Sequence, residues 1–239
     1  MTMMEHTIKA FDADLQDLVR VVAEMGGLAE KQIGDAFQAL DKHDLALAER
    51  VVADDAKIDA LQREIEEKAI LTIARRQPMA VDLREIVGAL RVSNDLERIG
   101  DLAKNIAKRV GALDGDFRPQ QVLRGVEHMT DLVLTQIKDV LDSFARRDAA
   151  EAMAVWRSDE EVDAVNNSLF RELLTYMMED PRDISYCIHL LFCAKNIERM
   201  GDHATNIAET VYYMVEGHAI AEERPKGDTT AMTNVPFRN

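Results

Sequence analysis

NDLERIGDLAKNIAKR, Asn94 to Arg109, recurs at an offset of 101 as KNIERMGDHATNIAET, Lys195 to Thr210. Eight of the sixteen positions are identical. Each copy carries an acid pair spaced i,i+4: Glu97/Asp101 and Glu198/Asp202. Like charges four apart on a helix repel by a few tenths of a kcal/mol. Writing the same unfavourable pair twice, with the same neighbours, points to a use for it.

The repeat extends well beyond this motif. At an offset of 104, Arg20, Gln32, Ile33, Asp44, Ala48, Asp55 and Asp59 match Arg124, Gln136, Ile137, Asp148, Ala152, Asp159 and Asp163. The offset is 103 at Pro78/Pro181. Helical composition alone does not hold register over so long a stretch, so the chain is two copies of one unit.

Apolar periodicity is helical almost throughout and predicts six helices, near 5–41, 44–75, 79–111, 118–146, 148–178 and 182–216. Asp44 and Asp148 are N-cap candidates, and Arg75 and Arg76 suit a helix C-terminus before Pro78. Gly26-Gly27 suggests a bend in the first helix, Gly111 to Pro119 reads as a linker, and Pro181 opens the last helix. The expected fold is all-α: two pseudo-symmetric three-helix bundles of six long antiparallel helices. Residues 1–112 make the first repeat, 118–217 the second and 218–239 a flexible tail, with Thr229 to Asn239 expected to be disordered.

Bulk composition narrows the function. The 239 residues are 47% apolar and 31% charged, with few glycines and prolines, which favours long helices. A net charge of −15 argues against nucleic acid and against adhesion to anionic lipid, both of which need a basic footprint. Cys187 and Cys193 lie about 120° apart on a helix and cannot pair locally, so a reducing cytoplasmic setting is expected. The N-terminal stretch lacks the apolar region of a signal peptide, and no run reaches the roughly 18 apolar residues of a membrane span. A membrane role is then expected only through a partner.

The repeat contributes a second acid pair to each half, Asp55/Asp59 and Asp159/Asp163, making four pairs at i,i+4. Each pair interrupts an apolar stripe. Leu83, Ile86, Val87 and Leu90 share the face of Glu97 and Asp101; Ile184, Cys187, Ile188 and Leu191 share that of Glu198 and Asp202. Ala48, Val52, Ile70 and Ile73 accompany Asp55 and Asp59, and Ala152, Trp156, Phe170 and Leu174 accompany Asp159 and Asp163. A carboxylate near a core protonates or finds a counter-ion. Arg98 and Arg199 are adjacent cations that could pair with the acids. Alternatively, pairs from neighbouring helices converge on a metal, and an all-oxygen set of this charge suits a hard cation such as Mg²⁺, Mn²⁺ or ferric iron.

Gly100 and Gly201 sit between the acids at a helix-interior cost of about 1 kcal/mol each, and either a close helix or a ligand would account for them. Asn105 and Asn206 extend the row, as ligands or as hydrogen-bonding partners of a loop. His203 projects about 100° from Asp202 and reads as a surface or packing residue. No histidine completes the E-x-x-H of di-iron bundles, and there is no P-loop, no nucleophile elbow and no zinc-spaced cysteine cluster.

The doubled motif resembles the PhoU family, the accessory and regulatory proteins of high-affinity phosphate uptake. The resemblance rests on NDLERIGDLAKNIA, KNIERMGDHATNIAE, QPMAVDLREI (Gln77 to Ile86) and the DDAKIDAL/DEEVDAV pair, and it covers roughly residues 5 to 217. It implies one metal site at Asp55, Asp59, Glu97 and Asp101 and another at Asp159, Asp163, Glu198 and Asp202. The ion would be Mg, Mn, Fe or Zn. It also implies a homodimer, and a non-enzymatic role in repressing phosphate-starvation signalling. The implied partners are the ATPase subunit of the phosphate ABC transporter and a membrane sensor histidine kinase. Two rivals are a carboxylate-bridged metalloenzyme and a metal-free helical scaffold whose acids pair with Arg98 and Arg199.

Overall fold

A computed structural model describes residues 3–113, 119–224 and 227. Seven α-helices and one 3₁₀ turn, with no strand, make up these residues. They are α1 (Met3–Lys42), α2 (Leu45–Arg76), α3 (Val81–Val110), α4 (Gln120–Arg146), α5 (Ala149–Arg157), α6 (Asp159–Glu179), the 3₁₀ turn Pro181–Asp183, and α7 (Ile184–Glu216).

The expected caps form. The Asp44 carboxylate accepts the Leu47 amide at 2.9 Å, and that of Asp148 accepts the amides of Ala150 and Glu151 at 3.0 Å. At the other end of α2, Gln77 closes the helix in the left-handed region, with Arg75 and Arg76 in the last turn. Pro181 opens the 3₁₀ turn, and α7 starts at Ile184.

Two local expectations are corrected. The helix predicted over 148–178 is two helices, α5 and α6, divided at Ser158. Ser158 donates its hydroxyl to the Val155 carbonyl at 2.8 Å and accepts Gln136 Nε2 at 3.1 Å, so its side chain competes with the backbone ladder. The matching residue in α2 is Asp54, and that helix is unbroken. The Gly26-Gly27 pair does not interrupt α1 either. A Cβ on Gly26 would lie 2.4 Å from Leu141 Cδ1, so this glycine admits the side chain of α4.

α1, α2 and α3 pack on one another, and α4 packs with α5, α6 and α7. The halves join through α3 against α7 and α1 against α4. Gly88 faces Met214, Asp95 bonds His203, and Arg109 lies over the Phe192 ring, so α3 and α7 run antiparallel. Their facing stripes (Ile86, Val92, Leu96, Ile99, Ala103, Ile106 and Cys187, Leu190, Ala194, Ile197, Ala204, Val211) are fully buried. Leu83, Ile184 and Ile188 of the stripes expected beside the acids are instead exposed, as is Ile70 of α2, because the buried seam is rotated away from them. Trp156 is buried where the first half has Val52, and its indole N–H donates to Glu209 at 3.0 Å. Cys187 and Cys193 are buried free thiols; burial pushes Cys193 up to about 12, against the Arg109 charge. No described helix is long and apolar enough to cross a membrane.

The Gly111–Pro119 linker leaves α3 through a turn at Gly111 and Ala112, and its residues 114–118 lie outside the described residues, as does Thr229–Asn239.

Candidate metal centres

In the first half, α2 contributes Asp55 and Asp59 and α3 contributes Glu97 and Asp101. The fold brings the four together. Burial raises the Glu97 pKa, and the charges of Asp101, Asp59 and Asp55 raise it further against the opposing Arg98. Asp55 is 5% exposed. Lys104 lies one turn beyond Asp101, and its ammonium donates to Asp55 Oδ2 at 2.5 Å and to Asp101 Oδ1 at 2.5 Å. Burial works against that ammonium, but the two bonds outweigh it and hold its pKa above the usual lysine range.

Gln32 of α1 closes the floor, donating Nε2 to the Val51 carbonyl at 3.2 Å and to Asp55 at 3.4 Å. Gly100 faces this floor: a Cβ there would stand 2.9 Å from Ile58 Cδ1 and 3.3 Å from Gln32 Oε1. The glycine therefore permits close approach of α3 to α1 and α2.

The second half repeats the arrangement with Asp159 and Asp163 on α6 and Glu198 and Asp202 on α7. Asp159, Asp163 and Glu198 are all buried. Burial raises the pKa of Asp159 and of Glu198; Asp163 and Asp202 push both further, opposed by Arg224 at Asp159 and by Lys195 at Glu198. The α3 lysine has no counterpart, because Thr205 stands in its place and donates to Asp159 at 3.3 Å. The compensating cation is Arg224, from beyond the end of α7. Its guanidinium donates to Asp159 Oδ2 at 2.9 Å and 3.2 Å and to Asp202 Oδ1 at 2.6 Å. Gly227 donates its amide to Asp163 Oδ2 at 2.7 Å and accepts Asn167 Nδ2 at 2.8 Å. Part of the stretch read as a tail is thus seated on the second acid group.

The expected arginine pairs are minor. Arg98 stands 3.4 Å from Glu97 and 3.6 Å from Asp101 with 64% of its side chain exposed, a geometry worth little in water. Arg199 is on the exposed face of α7. Lys104 and Lys195 were readable in the sequence as i,i+3 neighbours of Asp101 and Glu198. Arg224 carries no such spacing. His203 bonds Asp95 through Nδ1 at 2.8 Å, and Asn206 donates to the same carboxylate at 3.4 Å, so both tie α7 to α3. Asn105 is exposed. A groove of about 650 Å³, lined by Arg91, Asp95, Glu209, Tyr213 and Ile220, opens beside this seam.

With a cationic side chain within each carboxylate group, no three Asp, Glu, His or Cys side chains among the described residues stand in an arrangement that could hold a metal ion. The chemistry of the donors, as distinct from their present arrangement, suits a hard cation. All eight groups offer oxygen, and Gln32 Oε1, Gln136 Oε1 and Glu198 Oε2 are buried without a hydrogen-bond partner.

The PhoU domain model matches the chain twice, over residues 22–110 and 126–211. A phosphate-specific transport system accessory protein PhoU homolog of Rhizobium meliloti is 58% identical over 226 residues, 95% of either chain. The corresponding protein of Caulobacter vibrioides is 51% identical over 95% of this chain and 98% of its own length. The crystal structure of PhoU from Pseudomonas aeruginosa superposes with a TM-score of 0.81 at 42% identity, covering 87% of this chain and 100% of that one. The phosphate transport system regulatory protein PhoU from Streptococcus pneumoniae superposes with a TM-score of 0.82 at 27% identity, over 89% and 100% of the two chains.

Proposed function

The chain belongs to the PhoU family, and from that premise we propose that it is a non-enzymatic, cytoplasmic accessory protein of phosphate transport. It couples the state of the phosphate ABC transporter, through its ATPase subunit, to a sensor histidine kinase, and so represses phosphate-starvation signalling. It acts as a homodimer.

Work of this kind needs no lowered transition state. An adaptor transmits state by binding one conformation of a partner more tightly than another. What supports the reading is the placement of eight carboxylates as two groups of four, each bridging two long helices of one half. Asp55, Asp59, Glu97 and Asp101 would hold one metal centre, and Asp159, Asp163, Glu198 and Asp202 the other. Mg, Mn, Fe or Zn bound there would supply positive charge and cross-link α2 to α3 and α6 to α7. The chain's own residues set the rest. Gln32 and Gln136 offer further oxygen donors from α1 and α4, and the Asp95–His203 pair keeps α3 and α7 in register.

Deleting the gene tests the regulatory claim: phosphate-starvation genes should be expressed even when phosphate is ample, and unchanged repression would end it. Binding to the transporter ATPase should weaken in a Glu97→Ala/Glu198→Ala protein. Unchanged affinity would remove the acids from that interface.

A further inference from the structure

We propose that Arg224 is a tethered, displaceable occupant of the second carboxylate group, so that a metal ion entering that group expels the segment after α7. The inference rests on the metal-binding reading above. It adds that the two centres are unequal, and that loading of one of them is reported as a change at the surface.

The first observation is where Arg224 sits. It bridges Asp159 and Asp202, one acid from each helix of the group, as a shared cation would. Only 16% of its side chain is exposed. Gly227 takes a third acid, Asp163, through its backbone amide. One short stretch thus engages three of the four carboxylates.

The second observation is what remains unsatisfied. Glu198 is 6% exposed, and its Oε2 is buried without a hydrogen-bond partner, while its Oε1 accepts Lys195. Gln136 Oε1, on the same floor, is also buried and unpartnered. A guanidinium donates from one plane and leaves these oxygens unused, whereas a hard cation gathers oxygens from all sides. The group is therefore better suited to an ion than to the arginine now bridging it.

The third observation comes from the first half. Lys104 holds the equivalent acids from within α3, where its backbone is fixed by the helix. Thr205 at the matching position cannot do this, so Asp159 and Asp202 are compensated by a segment outside the helices, while Lys195 of α7 serves Glu198. A metal ion binding the first group has only to turn a side chain aside. In the second group it must break Arg224 from two carboxylates and Gly227 from a third, and these contacts hold the segment down. Apparent affinity falls by the fraction of time the competitor is seated.

The experiment uses the full-length protein, stripped with chelator and titrated with Mn²⁺ by calorimetry, alongside Arg224→Ala and Arg224→Lys. A Glu97→Ala background leaves the second group as the one observed. Arg224→Ala should tighten Mn²⁺ binding on the order of tenfold, and Arg224→Lys should fall between the two. Digestion with a glutamyl endopeptidase at Glu222 and Glu223 gives an independent readout. Cleavage should be slow in the metal-free protein, faster with saturating Mn²⁺, and fast with or without metal in Arg224→Ala. If Mn²⁺ binds but neither affinity nor cleavage responds, the tethered-occupant proposal is wrong and the metal reading stands. If neither the parent protein nor Arg224→Ala binds Mn²⁺, both are wrong.

Discussion

The two carboxylate groups are made of the same acids at the same helical spacing and are closed by different cations. Lys104 reaches Asp55 and Asp101 from its own helix; Arg224 reaches Asp159 and Asp202 from outside every helix. The floor beneath them differs too, since α2 runs unbroken past Asp55 whereas the helix is divided at Ser158, just before Asp159. Duplicated sequence fixes where acids lie along a helix. It does not fix what neutralises them, because neutralisation is satisfied by any cation the fold can bring within reach.

The sharpest way to break this comparison is to remove each cation without metal. Lys104→Ala leaves the buried Asp55 facing Asp101 with nothing to replace the ammonium, and should cost about 2–3 kcal/mol in urea unfolding. Arg224→Ala should cost about 1 kcal/mol, because the segment can lift and water can enter. Equal losses would mean that the two cations do the same job. Adding Thr205→Lys to Arg224→Ala installs the first-half solution in the second half, and should recover most of the smaller loss.

Next in size is the pH dependence. Glu97, Asp159 and Glu198 are raised in the folded protein, by burial first and by neighbouring acids second. Folded protein then binds more protons than unfolded chain between the ordinary carboxylate range and the raised values. With chelator present, stability should therefore increase as pH falls from neutral towards the ordinary carboxylate range. The raised Lys104 lies above this window and stays charged throughout. Glu97→Gln/Glu198→Gln should flatten the slope, and a slope that is flat in the parent protein would contradict the burial argument.

The smallest expected difference concerns the paired glycines. A Cβ at Gly100 meets Ile58 at 2.9 Å, whereas at Gly201 the nearest atom is the side-chain oxygen of Gln136 at 3.2 Å. Removing glycine from a helix interior is worth up to about 1 kcal/mol. Gly201→Ala should keep most of that gain in thermal unfolding, and Gly100→Ala should lose it to the contact. Identical shifts would show that the two floors are packed alike.

Much of this was readable in the sequence. The caps at Asp44 and Asp148, the antiparallel helices and the placing of Glu97, Asp101, Glu198 and Asp202 follow from spacing, because helical geometry is local. The break at Ser158 was not readable. Ser158 bonds Val155 within α5 and also accepts Gln136 from α4, and the second contact lies beyond local sequence. The roles of Gly26, Gly100 and Gly201 were ambiguous, since a glycine does not state which neighbour approaches it. Arg98 and Arg199, each next to an acid, were the counter-ions weighed against a metal, yet adjacent residues on a helix point about 100° apart. Arg98 and Lys104 both stand three residues from Asp101, and what separates them is that Lys104 also reaches Asp55 on α2, a contact that spacing along α3 does not show.

What the sequence by itself determined is the periodic part: a duplicated helical unit, its register, and eight carboxylates at i,i+4 spacing. Tertiary structure decided how the differences between the two copies, Lys104 against Thr205 among them, are compensated. Arg224 is 65 residues from Asp159 and 22 from Asp202, and meets both only because α6 and α7 pack side by side beneath the returning chain. Spacing along a helix is fixed by backbone geometry. Charge compensation acts through space, and so waits on the fold.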